Sequence, residues 1–459
     1  MKYPIYDKLR QLNKEDIYPF HMPGHKRQKQ SIMKDEDLFA LDITEITGYD
    51  DLHHPEGMIK ESMEYVRHIY GSKESYFLIN SSTAGILSAV TAACRFGDKI
   101  LVSRNCHKSV YHAVSLLGLK PVYVYPDIRQ DICMGITPGE VSDVIRREPG
   151  IKAAVIVSPT YEGIVSDIRG IAEVLHEKSI PLIVDEAHGA HFIFHSGFPD
   201  SAVTQGADAV VQSLHKTLPS LTQTGLLHIC SSRIGKREIE QAVSTFQSSS
   251  PSYILMASID YCVRKCADSP QLFEDYMQNL RDIRTRLYKM KHLKLVKTDD
   301  PGKLVILTRN TDLTGKELFE ILRVQYKMEL EMSELSYVIA MTSICDTKDA
   351  LNRLCSALTE IDDSLDFTQE NNISICFKNE MVMTPYEAKI RERKLCALED
   401  ACGQVSAEYV FLYPPGIPVI VPGEKISGET VRKIEQYQKQ KMNLTGLFED
   451  QVYTVDERV

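Results

Sequence analysis

From residue 71 onward the chain alternates short apolar, β-branched runs with longer mixed stretches. The runs are Tyr76–Ile79, Lys99–Val102, Val122–Tyr125, Ala153–Val157, Leu182–Val184, Ala209–Val211 and Leu226–Ile229. Most are separated by segments long enough for a helix, so the pattern predicts βαβ units around a largely parallel, seven-stranded sheet. This large α/β domain is expected over residues 51–290. Residues 1–50, polar and broken by Pro4, Pro19, Pro23 and Gly24, read as an N-terminal arm. Residues 291–459 mix strand and helix signals and predict a smaller C-terminal α+β region. Within it, Lys303–Thr308 and Tyr337–Met341 read as strands. Thr314-Gly315-Lys316-Glu317 reads as a capping box, and Thr384-Pro385-Tyr386-Glu387 as a second capped helix start. Leu351, Leu354, Cys355, Leu358 and Ile361 share one helical face.

Composition narrows the function classes. With 53 Lys+Arg against 63 Asp+Glu among 459 residues, the net charge is −10. No basic block offsets that balance, which argues against nucleic acid as the main partner. No apolar run approaches the ~20 residues that span a bilayer, and the first residues lack a signal-peptide core. Eleven cysteines fall without a CxxC pair, which suits reduced thiols better than a zinc ribbon or a disulfide framework. A cytoplasmic enzyme without a metal centre is expected.

The sharpest segment, Ser213-Leu214-His215-Lys216-Thr217-Leu218-Pro219, directly follows the sixth run. An isolated lysine is ordinarily a solvated charge. Flanked by Ser, His and Pro at a strand end, this one is a poor solubiliser and a good candidate for Schiff-base chemistry, which pyridoxal phosphate exploits. That cofactor needs three further parts. An acid must keep the pyridine nitrogen protonated, and Asp185 ends the fifth run, although capping the next helix is an equally ordinary role for it. A phosphate cup is offered by Ser81-Ser82-Thr83 where the first run turns into a helix. A ring to stack on the cofactor is offered by His107, after the second run. Each signal alone is modest; four in order, each at a strand end, reinforce one another.

Together with these segments, His21-Met22-Pro23-Gly24-His25-Lys26, Asp185-Glu186-Ala187-His188, Ser248-Ser249-Ser250-Pro251, Tyr413-Pro414-Pro415-Gly416 and Pro422-Gly423-Glu424 resemble the fold-type-I pyridoxal-phosphate decarboxylases of ornithine, lysine and arginine. The likeness covers nearly the whole chain and is to the short branch, without the N-terminal wing domain of larger members. It implies decarboxylation of a basic amino acid, with arginine ranked before lysine or ornithine. Lys216 would carry the cofactor, Asp185 would pair with the ring nitrogen, and His107 would stack above Ala187. Ser81, Ser82, Thr83 and Ser213 would hold the phosphate, with His215 and His188 beside the cofactor. The resemblance further implies a homodimer or a higher even oligomer with a shared active site, Ser249 crossing from the neighbouring subunit. Glu424 would face the substrate's basic group. Ser81, Ile86 and Ser220 stand where the family pattern has Gly, Asn and Ala, and Ile86 removes a polar group expected near the phosphate cup. Transamination, aldol cleavage and a non-catalytic family member are the alternatives; no C-terminal arginine motif typical of aminotransferases is evident.

Overall fold

The structure is a computed structural model that describes residues 11–12, 14–28, 38–366, 378–413 and 416–456. Pro414 and Pro415 of the terminal motif therefore lie outside the described residues.

All seven apolar runs are strands of one sheet: β1 (Glu74–Leu78), β2 (Lys99–Ser103), β3 (Lys120–Val124), β4 (Ile151–Val157), β5 (Leu182–Asp185), β6 (Ala209–Gln212) and β7 (Gly225–Ile229). Their order is β1-β7-β6-β5-β4-β2-β3. Neighbours from β3 to β6 pair in parallel, and β7 runs antiparallel to both β1 and β6. The sheet is covered on both faces, which is why its strands read as unbroken apolar runs and not as an alternation. On one face Ala153, Val155, Ile183 and Val211 pack with Ile86, Val110 and Ile239. These last three come from α1 (Ser81–Ala93), α2 (Lys108–Leu116) and α5 (Lys236–Phe246). On the other, Ala154, Ile156, Val184 and Val210 pack with Val141, Ile171 and Leu175 of α3 (Pro138–Arg147) and α4 (Ile168–His176). Fully burying one such aliphatic side chain contributes ~1.5–3 kcal/mol, so the central strands anchor the molecule.

Gly85 brings α1 down onto this sheet. A Cβ there would lie 2.6 Å from Leu78 Cδ1 and 2.8 Å from Val211 Cγ1. Ile86 faces the apolar layer at 1% exposure. The family pattern puts this position near the phosphate cup; in the structure the helix instead turns residue 86 inward, into the apolar layer.

Beyond the helix Pro270–Leu287, a second, four-stranded antiparallel sheet has the order Lys294–Leu295, Lys303–Leu307, Tyr337–Met341, Met332–Ser333. Both expected capping boxes form, at Thr314/Glu317 and Thr384/Glu387. Lys348–Asp363 is the expected amphipathic helix. The N-terminal segment ties the two sheets together. Tyr18–Phe20 pairs in parallel with Met328–Leu330, and Gly24 N–H donates to His215 O at 2.7 Å. Lys26, buried, donates to Met341 O at 2.8 Å. No helix among the described residues is long and apolar enough to cross a membrane.

Candidate active site

A parallel sheet exposes its ligands at the carboxyl ends of its strands, where the following turns diverge. Here five strand ends converge on one cavity of about 340 Å³. After β1 come Ser81, Ser82 and Thr83; after β2, Asn105, His107 and Lys108; after β4, Pro159 and Tyr161. Asp185 closes β5, followed by Ala187 and His188. His215 and Lys216 follow β6. The cavity thus gathers Ser81, Ser82, Thr83, His107, Asp185, Ala187, His188, His215 and Lys216, all singled out in the sequence.

The chemistry of this wall follows from burial. Asp185 is 4% exposed, and burial raises its pKa, with Lys216 and the Ala187 N–H, 3.2 Å away, opposing. Burial lowers the pKa of Lys216, with Asp185 and Glu331 opposing. The two groups are each other's compensation, the arrangement expected of a buried amine and acid. His107 caps α2, its Nδ1 lying 2.9 Å from Ser109 Oγ. Burial, reinforced by Lys216 and Lys108, takes its pKa down to about 3, so it is a neutral flat ring. Gly416 lies on that ring, since a Cβ there would be 3.3 Å from His107 Cδ2 and Nε2. His215 donates from Nδ1 to Thr224 O at 2.8 Å, and burial lowers its pKa to about 4.

At the first turn, Ser81 adopts a left-handed backbone (φ 63°), its Oγ accepts from Thr83 N–H at 3.1 Å, and Ser213 Oγ donates to Ser82 Oγ at 2.8 Å. Hydroxyls and helix-end N–H groups facing a cavity suit a phosphate dianion. With an amine opposite a buried acid and a flat neutral ring alongside, the residues fit pyridoxal phosphate. Ser220, the other departure from the family pattern, only braces the turn, its Oγ lying 3.1 Å from Ser258 Oγ.

Two expected residues stand apart. Ser249 is exposed; the backbone N–H of its neighbour Ser248 donates to Asn80 Oδ1 at 3.2 Å. Glu424 is fully buried but does not line the cavity. It forms an ion pair with Arg104 at 3.1 Å and accepts from Asn379 Nδ2 at 3.2 Å and Val421 N–H at 3.0 Å. Its acid is already neutralised, so the expected substrate role does not match its position. The pair instead clamps the C-terminal segment onto the turn that carries His107. Arg104→Met should lower stability by about 3–5 kcal/mol, because it strands a buried carboxylate. Glu424→Gln, which can still accept from Arg104, should lower it less; urea unfolding compares the two.

Glu331, Tyr161 and Lys303 lie in or beside the site without being marked by any of the sequence motifs. Glu331 lines the cavity beside Tyr161, whose OH donates to it, and its Oε2 accepts from Met22 N–H at 2.9 Å. It also borders an adjoining cavity of about 430 Å³ with His21, Glu329 and Tyr413. Lys303 opens a buried strand, where the chain Asp300-Pro301-Gly302-Lys303 was a visible oddity: a charge at the head of an apolar run.

Comparison with known proteins identifies the family of the chain. Residues 3–330 match the model of the Orn/Lys/Arg decarboxylase major domain, and residues 368–452 that of the Orn/Lys/Arg decarboxylase C-terminal domain. The arginine decarboxylase of Bacillus anthracis is 32% identical over 94% of this chain and 92% of its own. YaaO of Bacillus subtilis, an uncharacterised protein, is 35% identical over 97% of this chain and 96% of its own. Among solved structures, lysine decarboxylase A from Pseudomonas aeruginosa superposes with a TM-score of 0.76 at 18% identity, covering 99% of this chain and 76% of that one, a likeness of fold. The chain belongs to the Orn/Lys/Arg decarboxylase family, whose members share the fold-type-I architecture and depend on pyridoxal phosphate.

Proposed function

We propose that the protein decarboxylates a basic L-amino acid, arginine before lysine or ornithine, to its amine and carbon dioxide, with pyridoxal phosphate as cofactor. The observation that carries this reading is one cavity lined by both the Lys216/Asp185 pair and the carboxylate of Glu331. The preference for arginine rests on the family relatives named for that substrate.

When bound, the cofactor supplies the electron sink for cleavage of the bond between the α-carbon and the carboxylate. Lys216 would hold the cofactor through its amine, the one that lines the cavity near Asp185. Ser81, Ser82, Thr83 and Ser213 hold the phosphate. Asp185 would hold the proton on the ring nitrogen, and His107 and Ala187 would pack against the ring. Lys216 or His215 returns a proton to the α-carbon. Glu331, oriented by Tyr161 and Met22 N–H, takes the ammonium or guanidinium end of the substrate in place of the lost water.

Glu331→Gln tests the substrate assignment. Removing one charge-assisted contact, worth ~1.5–3 kcal/mol, should lower kcat/KM for basic substrates about 10- to 100-fold. Neutral analogues of equal length should lose far less. An equal loss for both would take Glu331 out of substrate recognition.

The same reading makes the enzyme a homodimer, with Ser249 completing the phosphate site of the opposite subunit. Lys216→Ala and Ser249→Glu homodimers should each be nearly inactive, and co-expression should restore activity, because one site of each mixed dimer is intact. Mixed dimers, verified by differential tags, that stay inactive would confine Ser249 to its own chain or to no role.

A further inference from the structure

His188 lies between two lysines. Its Nε2 is 3.1 Å from Lys216 Nζ, and its Nδ1 is 2.7 Å from Lys303 Nζ. His188 is 5% exposed and Lys303 1%. The ring of Tyr161 packs edge-on against His188, with centroids 4.7 Å apart.

The chemistry of these three groups is over-determined. A neutral imidazole has one N–H and one lone pair, whereas an ammonium only donates. Two ammonium groups would need two lone pairs, and the ring has one. A protonated ring would put three cations in a row. Hydrogen bonding is complete only when one lysine is an ammonium and the other a free amine. Burial, with Lys216 and Lys303, holds His188 well below its ordinary pKa, so the ring is neutral. Burial also takes Lys303 down to about 8; Asp300, Glu331 and Glu162 oppose that shift and Lys216 adds to it. At Lys216 the opposing groups are Asp185 and Glu331, while His107 and His215 remain neutral.

We propose that Lys303 is a proton reservoir for Lys216, the two amines sharing one proton through the ring of His188. In one state the Lys216 ammonium donates to Nε2, and Nδ1–H donates to the free amine of Lys303. In the other, the Lys216 proton has moved to Nε2 and the Nδ1 proton to Lys303. His188 has changed tautomer, the total charge is unchanged, and Lys216 carries a lone pair. Such a partner suits a lysine that must be a free amine to attack an aldehyde and an acid at another point of the cycle. Lys303 acts through His188 and is a positioning residue. The inference rests on the reading of Lys216 as the cofactor lysine.

The test measures titration of Lys216 in the full-length chain freed of cofactor. Trace labelling with acetic anhydride across a pH series, read by mass spectrometry at the Lys216 peptide, gives the midpoint directly. Lys303→Met keeps the side-chain length but removes the reservoir. Lys216 should then hold its proton longer, with the midpoint raised by about one pH unit and labelling near neutral pH reduced about tenfold. Lys303→Arg introduces a cation that does not release its proton, so the midpoint should fall below wild type. A merely structural role would move both variants the same way or neither. An unmoved midpoint in either variant, shown folded by circular dichroism, overturns the proposal, so one folded variant is enough. Fixing pyridoxal phosphate with borohydride tests the underlying reading separately: attachment at another lysine defeats that reading, whereas attachment at Lys216 with an unmoved midpoint defeats the reservoir alone.

Discussion

Lys216→Ala is expected to lower turnover by about 10⁴-fold or more, the scale seen when a covalent catalytic group is removed outright. The loss follows from placement. Lys216 is the amine that faces Asp185 across the cavity, at the end of β6. Lys303, also near His188, is walled off behind that ring and does not line the cavity, so it is no substitute. In the wild-type protein, borohydride should fix pyridoxal phosphate to the peptide containing Lys216; the variant should retain cofactor only reversibly, through its phosphate contacts. Turnover within tenfold of wild type, or reduction-stable label on the variant, would mean that the assignment of Lys216 is wrong.

Asp185→Asn should lower the chemical step by about 10²-fold or more, since one preorganised electrostatic partner is typically worth that much. The substitution keeps shape and burial but removes the charge that would hold the ring nitrogen protonated. It also removes the partner that opposes the lowering of the Lys216 pKa. The Lys216 amine should therefore titrate lower than in wild type. Single-turnover kinetics with equilibrium cofactor binding separates the two consequences: binding persists, and the chemical step slows. An unimpaired step would place another group at the ring nitrogen.

The main sheet was legible because its strands are buried on both faces, so each appears as a contiguous β-branched run with no need of tertiary information. The cavity-lining residues were legible for a related reason. They sit within a few residues of those runs, as Asp185 does at the last position of β5 and Lys216 one helical turn after β6. Residues whose role depends on distant segments were not. Glu331 occupies the junction of two short strands, and only the fold brings it to Tyr161 and Met22. Glu424 shows the converse. The family likeness of its Pro-Gly-Glu segment implied a pocket wall, but the structure pairs it with Arg104, which no local pattern connects to it. Ile86 was misplaced by a subtler effect: it lies close in sequence to the Ser81–Thr83 turn, but the helical rotation turns its side chain into the apolar layer.

The most direct test of the account is product analysis on the purified protein with added pyridoxal phosphate, across carboxyl-labelled arginine, lysine, ornithine and their neutral analogues of similar length. Labelled carbon dioxide should be released from a basic amino acid, arginine foremost, together with an equal amount of the corresponding amine. Absence of carbon dioxide from every basic substrate, release from neutral analogues alone, or a keto acid in place of an amine would contradict it.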